Sequence, residues 1–159
     1  MEDLFKMQQI INSILLFYLA AAAVRDIKQR EVSIEAVICF SAAAILLKIA
    51  AAALQAEGAA ASPAELFAGI AGGMLPGLFL SAAAYMTRQA VGYGDGAALI
   101  VCGVYDGFQG SILILTGALF FSAAAALYFV AVKKAGFKKE IPFVPCLLFG
   151  YMIRLCFGG

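Results

Sequence analysis

The chain has 159 residues, 64% of them hydrophobic and 13% charged, with a formal net charge of +1 and a mean hydropathy of +0.97. One domain's length of soluble fold still leaves about 30% of its surface wet. This chain has too little polar surface for that, so a soluble enzyme and a disordered chain are both set aside. The charge balance lacks the basic footprint of a nucleic-acid binder, and the absence of His excludes imidazole chemistry.

Membrane helices need about 20 mainly apolar residues, and the chain offers six apolar segments. The first covers about 7–24 and is followed by Arg25, Asp26, Lys28, Arg30 and Glu31. Its basic flank follows the apolar run and no clear cleavage site comes after it, so it reads as a span and not a signal peptide. The second, about 33–54, contains only Glu35 and Lys48 as charges. The third, about 64–86, holds Gly69, Gly72, Gly73, Pro76 and Gly77, a density tolerated where neighbouring helices approach closely. The fourth, 97–105, is too short to cross a straight bilayer. Either it extends backwards through the preceding glycines, or the region is thin and partly wet. The fifth covers about 111–132 and the last about 141–157. The expected fold is an all-α integral membrane protein, a polytopic bundle of about six helices, with residues 1–159 as one domain.

Basic residues set the orientation. Arg25, Lys28, Arg30, Arg88, Lys133, Lys134, Lys138 and Lys139 fall in three alternate loops. By the positive-inside rule these loops are cytoplasmic. Asp26 and Asp95 then lie on the same side, whereas Asp106 lies on the other. The four lysines around Gly136 read as an ordinary anchor of this kind.

The four cysteines form no C-x-x-C pair and read as small apolar helix residues, with no metal signature. No cofactor is expected. Without His, the remaining acid–base option is a pair of carboxyls, one protonated while the other activates water. Asp95 lies in Gly92-Tyr93-Gly94-Asp95-Gly96, where glycines permit close approach of a substrate backbone. The structural alternative is a glycine-rich connector with an incidental helix-capping Asp. Asp26 lies just beyond the first span; its structural alternative is a charged anchoring turn. Glu35 is a reserve candidate, and Glu31 reads as an ion-pair partner.

Three motifs, in order, resemble the type IV prepilin peptidases, membrane aspartic proteases with a G-x-G-D signature. They are Asp26 with Arg30-Glu31-Val32-Ser33, Gly92-Tyr93-Gly94-Asp95, and Ile141-Pro142-Phe143-Val144-Pro145. The resemblance implies that Asp26 and Asp95 are the catalytic residues. It assigns Gly92, Tyr93, Gly94, Gly96, Pro142, Phe143 and Pro145 to substrate binding or to the structural motif. It implies a prokaryotic inner-membrane protein with its site on the cytoplasmic side. Its partner would be a prepilin or pseudopilin helix, docked laterally and cut after Gly. The family usually carries a Lys where this chain has Ala97, so that function would fall to another residue such as Arg88 or Lys138. Larger members add two C-x-x-C pairs with a methyltransferase activity; their absence implies peptidase activity alone. The alternatives are a catalytically impaired pilin-binding scaffold or a small polytopic transporter.

Overall fold

The computed structural model describes residues 2–29, 34–55, 62–86, 92–133 and 143–157. Five helical elements follow in order: α1 (Glu2–Gln29), α2 (Ile34–Gln55), α3 (Pro63–Met86), α4 (Tyr93–Lys133) and α5 (Val144–Phe157). The described residues are all helical apart from short flanks. Four of the helices are long and apolar enough to cross a membrane, and α5 is a shorter apolar helix.

Local chemistry fixes where these helices begin. At α3, the Ser62 N–H donates to Glu65 Oε2 at 2.9 Å, and the Glu65 N–H donates to Ser62 Oγ at 3.2 Å. This reciprocal capping box, with Pro63 in the first turn, satisfies donors that the helix itself leaves open. At α5, the Leu147 N–H donates to the Phe143 carbonyl at 3.1 Å, so Phe143 caps the helix. Pro145 follows in the first turn, where a missing N–H costs nothing.

The α4 element is two rods. Gly107 breaks it with φ 75° and ψ −173°, a conformation essentially restricted to glycine. Gly103 packs against the Gly73 carbonyl, and Ser111 Oγ donates to that same carbonyl at 3.3 Å. A straight helix would separate residues 103 and 111 by about 12 Å. The chain therefore folds back at Gly107, and 93–106 and 108–133 run in opposite directions. Together with the other helices this makes six rods, compatible with the six spans expected from sequence.

The first arm, 93–106, is the centre of the bundle. Ala98, Leu99, Val101, Cys102 and Val104 are fully buried. Leu15, Tyr18 and Leu19 of α1 and Leu147 and Tyr151 of α5 belong to the same core. At about 21 Å the arm is shorter than the hydrocarbon core, which is tolerable because protein and not lipid surrounds it. It reaches back to Tyr93, the first of the two alternatives for the short fourth segment.

Small residues let α3 lie against this arm. Gly73, Gly77 and Ser81 recur every four residues and meet Gly103, Ile100 and Gly96 in turn. A side chain at Gly73 or Gly103 would land on the other helix's backbone. The glycines of the third segment are thus partly used for close helix approach inside the fold. Phe17, Phe67, Phe79 and Leu127 remain exposed, as lipid-facing side chains are.

Candidate active site

Asp26 and Asp95 come from different helices and meet at one end of the bundle. Asp26 lies within α1, which continues to Gln29, and not in a turn beyond it as the sequence suggested. One more helical turn turns it inward, and it is a buried charged residue, 8% exposed. Its Oδ2 accepts the backbone N–H of Val144 at 3.1 Å. Val144 is the first residue of α5, so the carboxyl sits at a helix N-terminus. Donors at such termini have no partner within the helix and suit an acidic acceptor.

Asp95 occupies the corresponding place on the neighbouring rod. It lies in the first turn of α4, and its N–H donates to the Gly92 carbonyl at 3.1 Å. Its carboxyl turns back to the Gly92 backbone N–H, as the third residue of a helix does in a capping box. A Cβ at position 92 would stand 3.2 Å from Asp95 Oδ2, tight enough to crowd the carboxyl. Gly92 therefore leaves room for the acid group. Gly96 serves another purpose: its missing side chain admits Ser81 of α3. Gly94 is half-buried and Tyr93 exposed, both in helical conformation. The G-x-G-D stretch is thus a helix start and not an open connector.

The two carboxyls lie within electrostatic reach of one another. Cys146, in the first turn of α5, lies within reach of both. Arm 93–106 and α5 thus start from the same level and run in the same direction, each with an acid group at its start. Each carboxyl so placed makes ionisation of the other more costly. This is the arrangement needed for one group to hold a proton while the other activates water. Among the described residues no cluster of three potential metal ligands occurs.

Other candidates fall elsewhere. Glu35 lies in the first turn of α2 and is exposed. Asp106 is at the far end of its arm, in an ion pair with Arg154. Phe143 and Pro145 sit beside the site as cap and first turn of α5. Pro142, Glu31, Arg88 and Lys138 lie outside the described residues. Sequence reasoning missed the Val144 backbone donor and the nearness of Cys146. The Phe-x-Pro spacing was the available signal, since Pro in a first turn marks a helix N-terminus.

A helical membrane bundle that brings a buried and a half-buried acid group together beside paired helix starts defines a class, the polytopic membrane proteins with a carboxyl pair at one end of the bundle. The profile described as the type IV leader peptidase family matches residues 13–127, which takes in both Asp26 and Asp95. The chain belongs to that family and is thereby a membrane protein and a protease, a hydrolase of peptide bonds. No curated protein and no solved structure matches the chain.

Proposed function

We propose that the chain is an aspartic endopeptidase that removes the short basic leader from prepilin-like substrates. Asp26 and Asp95 are its catalytic residues. They share one proton and hold a water between them. The ionised carboxyl takes a proton from that water as its oxygen attacks the peptide carbonyl carbon. The protonated carboxyl donates to the carbonyl oxygen. Collapse of the tetrahedral intermediate breaks the C–N bond, and the leaving amine takes up a proton from the pair. No covalent enzyme intermediate is formed.

The observation that carries this reading is the pairing of Asp26 with Asp95 beside the α5 start. The Val144 N–H fixes the orientation of one carboxyl and the Gly92 backbone that of the other. In this reading the site faces the cytoplasm from a prokaryotic inner membrane, which the basic residues of alternate loops support. The substrate is itself an apolar helix with a basic leader, so it enters from the bilayer and is cut after Gly where its helix begins. Bilayer lipid and the prepilin or pseudopilin helix are the partners. The chain has no C-x-x-C pair, and methyl transfer is not part of the reading.

Co-expression with a prepilin from the same genome tests this. Wild type is expected to shift the prepilin to a smaller size on a gel, with the new N-terminus directly after Gly. Asp26→Asn and Asp95→Asn are each expected to leave it uncut. Processing that survives either substitution overturns the carboxyl-pair mechanism. Binding of intact prepilin without cutting favours the scaffold reading, which Ala97 in place of the family's usual Lys motivates.

A further inference from the structure

The proposed chemistry uses one end of the bundle and leaves a second buried charged group unused at the other. Asp106 ends the first arm of α4, one residue before the Gly107 reversal. Arg154, in the last turn of α5, places Nη2 2.5 Å from Asp106 Oδ1. The two side chains are only 17% and 4% exposed. Gly110 makes room for this carboxyl, since a Cβ there would collide with it. Lys48 of α2 is a further cation within electrostatic reach.

A buried ion pair is a weak source of net stability, because desolvation offsets the attraction. What it does supply is direction: a charge-assisted contact tolerates little displacement. The two helices it joins are the one that carries Asp95 and the one whose start holds Asp26. Arm 93–106 carries Asp95 at its start and Asp106 at its end. The α5 helix carries Val144 at its start and Arg154 near its end. Helix length from residue 95 to 106 is about 16 Å, and from 144 to 154 about 15 Å. The rods run parallel, and contacts at both ends match along that length. A slip of α5 by one residue would move the Val144 N–H by about 1.5 Å, enough to break its bond to Asp26.

We propose that the Asp106–Arg154 pair positions the proteolytic site from the opposite end of the bundle. It locks α5 in axial register against arm 93–106, so that the Val144 N–H meets Asp26 beside Asp95. Asp106 and Arg154 are positioning residues and touch no substrate. The proposal rests on Asp26 and Asp95 being the catalytic pair.

The test uses the full chain in proteoliposomes and a prepilin that wild type cleaves. The double variant Asp106→Asn with Arg154→Met removes both charges of the pair together, so neither partner is left buried against a missing one. It is expected to keep the wild-type KM and lose about 10²-fold in kcat, the cost of a misplacement near 1 Å at a reacting centre. Arg154→Lys keeps a cation at the position and is expected to hold kcat within about threefold, since the charged contact is retained. A folded double variant with wild-type kcat overturns the proposal, and so does one in which only KM changes. Should the double variant fail to fold, Arg154→Gln decides: wild-type kcat in that variant overturns the proposal, and a loss of kcat of about tenfold or more at unchanged KM, restored in Arg154→Lys, supports it. Failure of the underlying reading looks different. Wild type then cuts no prepilin, or Asp26→Asn and Asp95→Asn still cut. In that event the pair has no site to position, and the proposal falls too.

Discussion

The Val144 backbone N–H donates to Asp26 Oδ2 at 3.1 Å, across 118 residues of chain. It ties the end of the first helix to the start of the last. Because the donor is a main-chain group, its position follows from where α5 begins, and that is set by Phe143 and Pro145. The Phe-x-Pro motif, which the resemblance assigns to substrate binding or to structure, is in the fold a helix start aimed at an acid group.

Removing that donor without disturbing the helix isolates its contribution. Val144→Pro is suited to this, since Pro is accepted at the first helical position and Phe143 can take the extended conformation that precedes Pro. The bond is one to an acid group, worth about 1.5–3 kcal/mol. Val144→Pro is expected to lower kcat/KM by about 10–100-fold, at 1.36 kcal/mol per decade, with the helical circular-dichroism signal retained. Val144→Ala keeps the N–H and is expected to lose stability but little activity. Equal activity of the two variants in the prepilin assay would remove the donor's role.

Asp26→Asn and Asp95→Asn each delete one member of the proton-sharing pair. Each is expected to lower kcat by about 10²–10⁴-fold, the usual contribution of a positioned acid or base. Wild-type kcat/KM is expected to pass through a maximum with pH and fall on both sides. The pair works with one proton and fails with none or two. A flat profile across the carboxyl range, followed by gel densitometry, would contradict a working dyad.

Gly107→Ala tests the reversal in α4. Space is open around Gly107, but its φ of +75° lies where L side chains are strained. The substitution is expected to destabilise the protein by about 1–3 kcal/mol, read as a lower unfolding midpoint in detergent. Unchanged stability would mean that the two arms of α4 do not meet at this angle.

Gly103→Ala tests the close contact of α3 with the central arm. Its methyl group would fall on the Gly73 carbonyl, and overpacking of this kind costs about 1–3 kcal/mol. Gly69→Ala is the control, because nothing lies within 4 Å of a Cβ there. The first variant is expected to unfold at a lower temperature and cleave poorly. The second is expected to match wild type in both respects.

Much of the frame was legible because the bilayer leaves few choices. Apolar runs of about 20 residues must be helices there; the expected second and third segments match α2 and α3 to a residue, whereas α1 extends about five residues beyond the expected first segment at each end. The short fourth segment has two readings in the sequence, and the start of its helix at Tyr93 answers to the first, extension back through the glycines. The position of Asp26 was misplaced because the charged residues around it look like a loop. Helical periodicity carries on through them, and the helix gains by delivering one carboxyl inward while Arg25, Ile27 and Lys28 stay exposed.

By itself the sequence determined that this is a membrane bundle, and it supplied the expectation of an orientation from the basic loops and of two acids that could work together. Those properties follow from composition and from residues close together in the chain. Only the tertiary structure decided how the acids are held. The Val144 bond to Asp26, the room at Gly92 for Asp95, and the Asp106–Arg154 lock all depend on the register between helices. Register is set by side chains and backbones meeting across distant segments, such as Gly73 on Gly103 and Gly117 beside Gly150. No local pattern specifies which turn of one helix faces which turn of another, because many offsets bury similar apolar area and only close packing tells them apart.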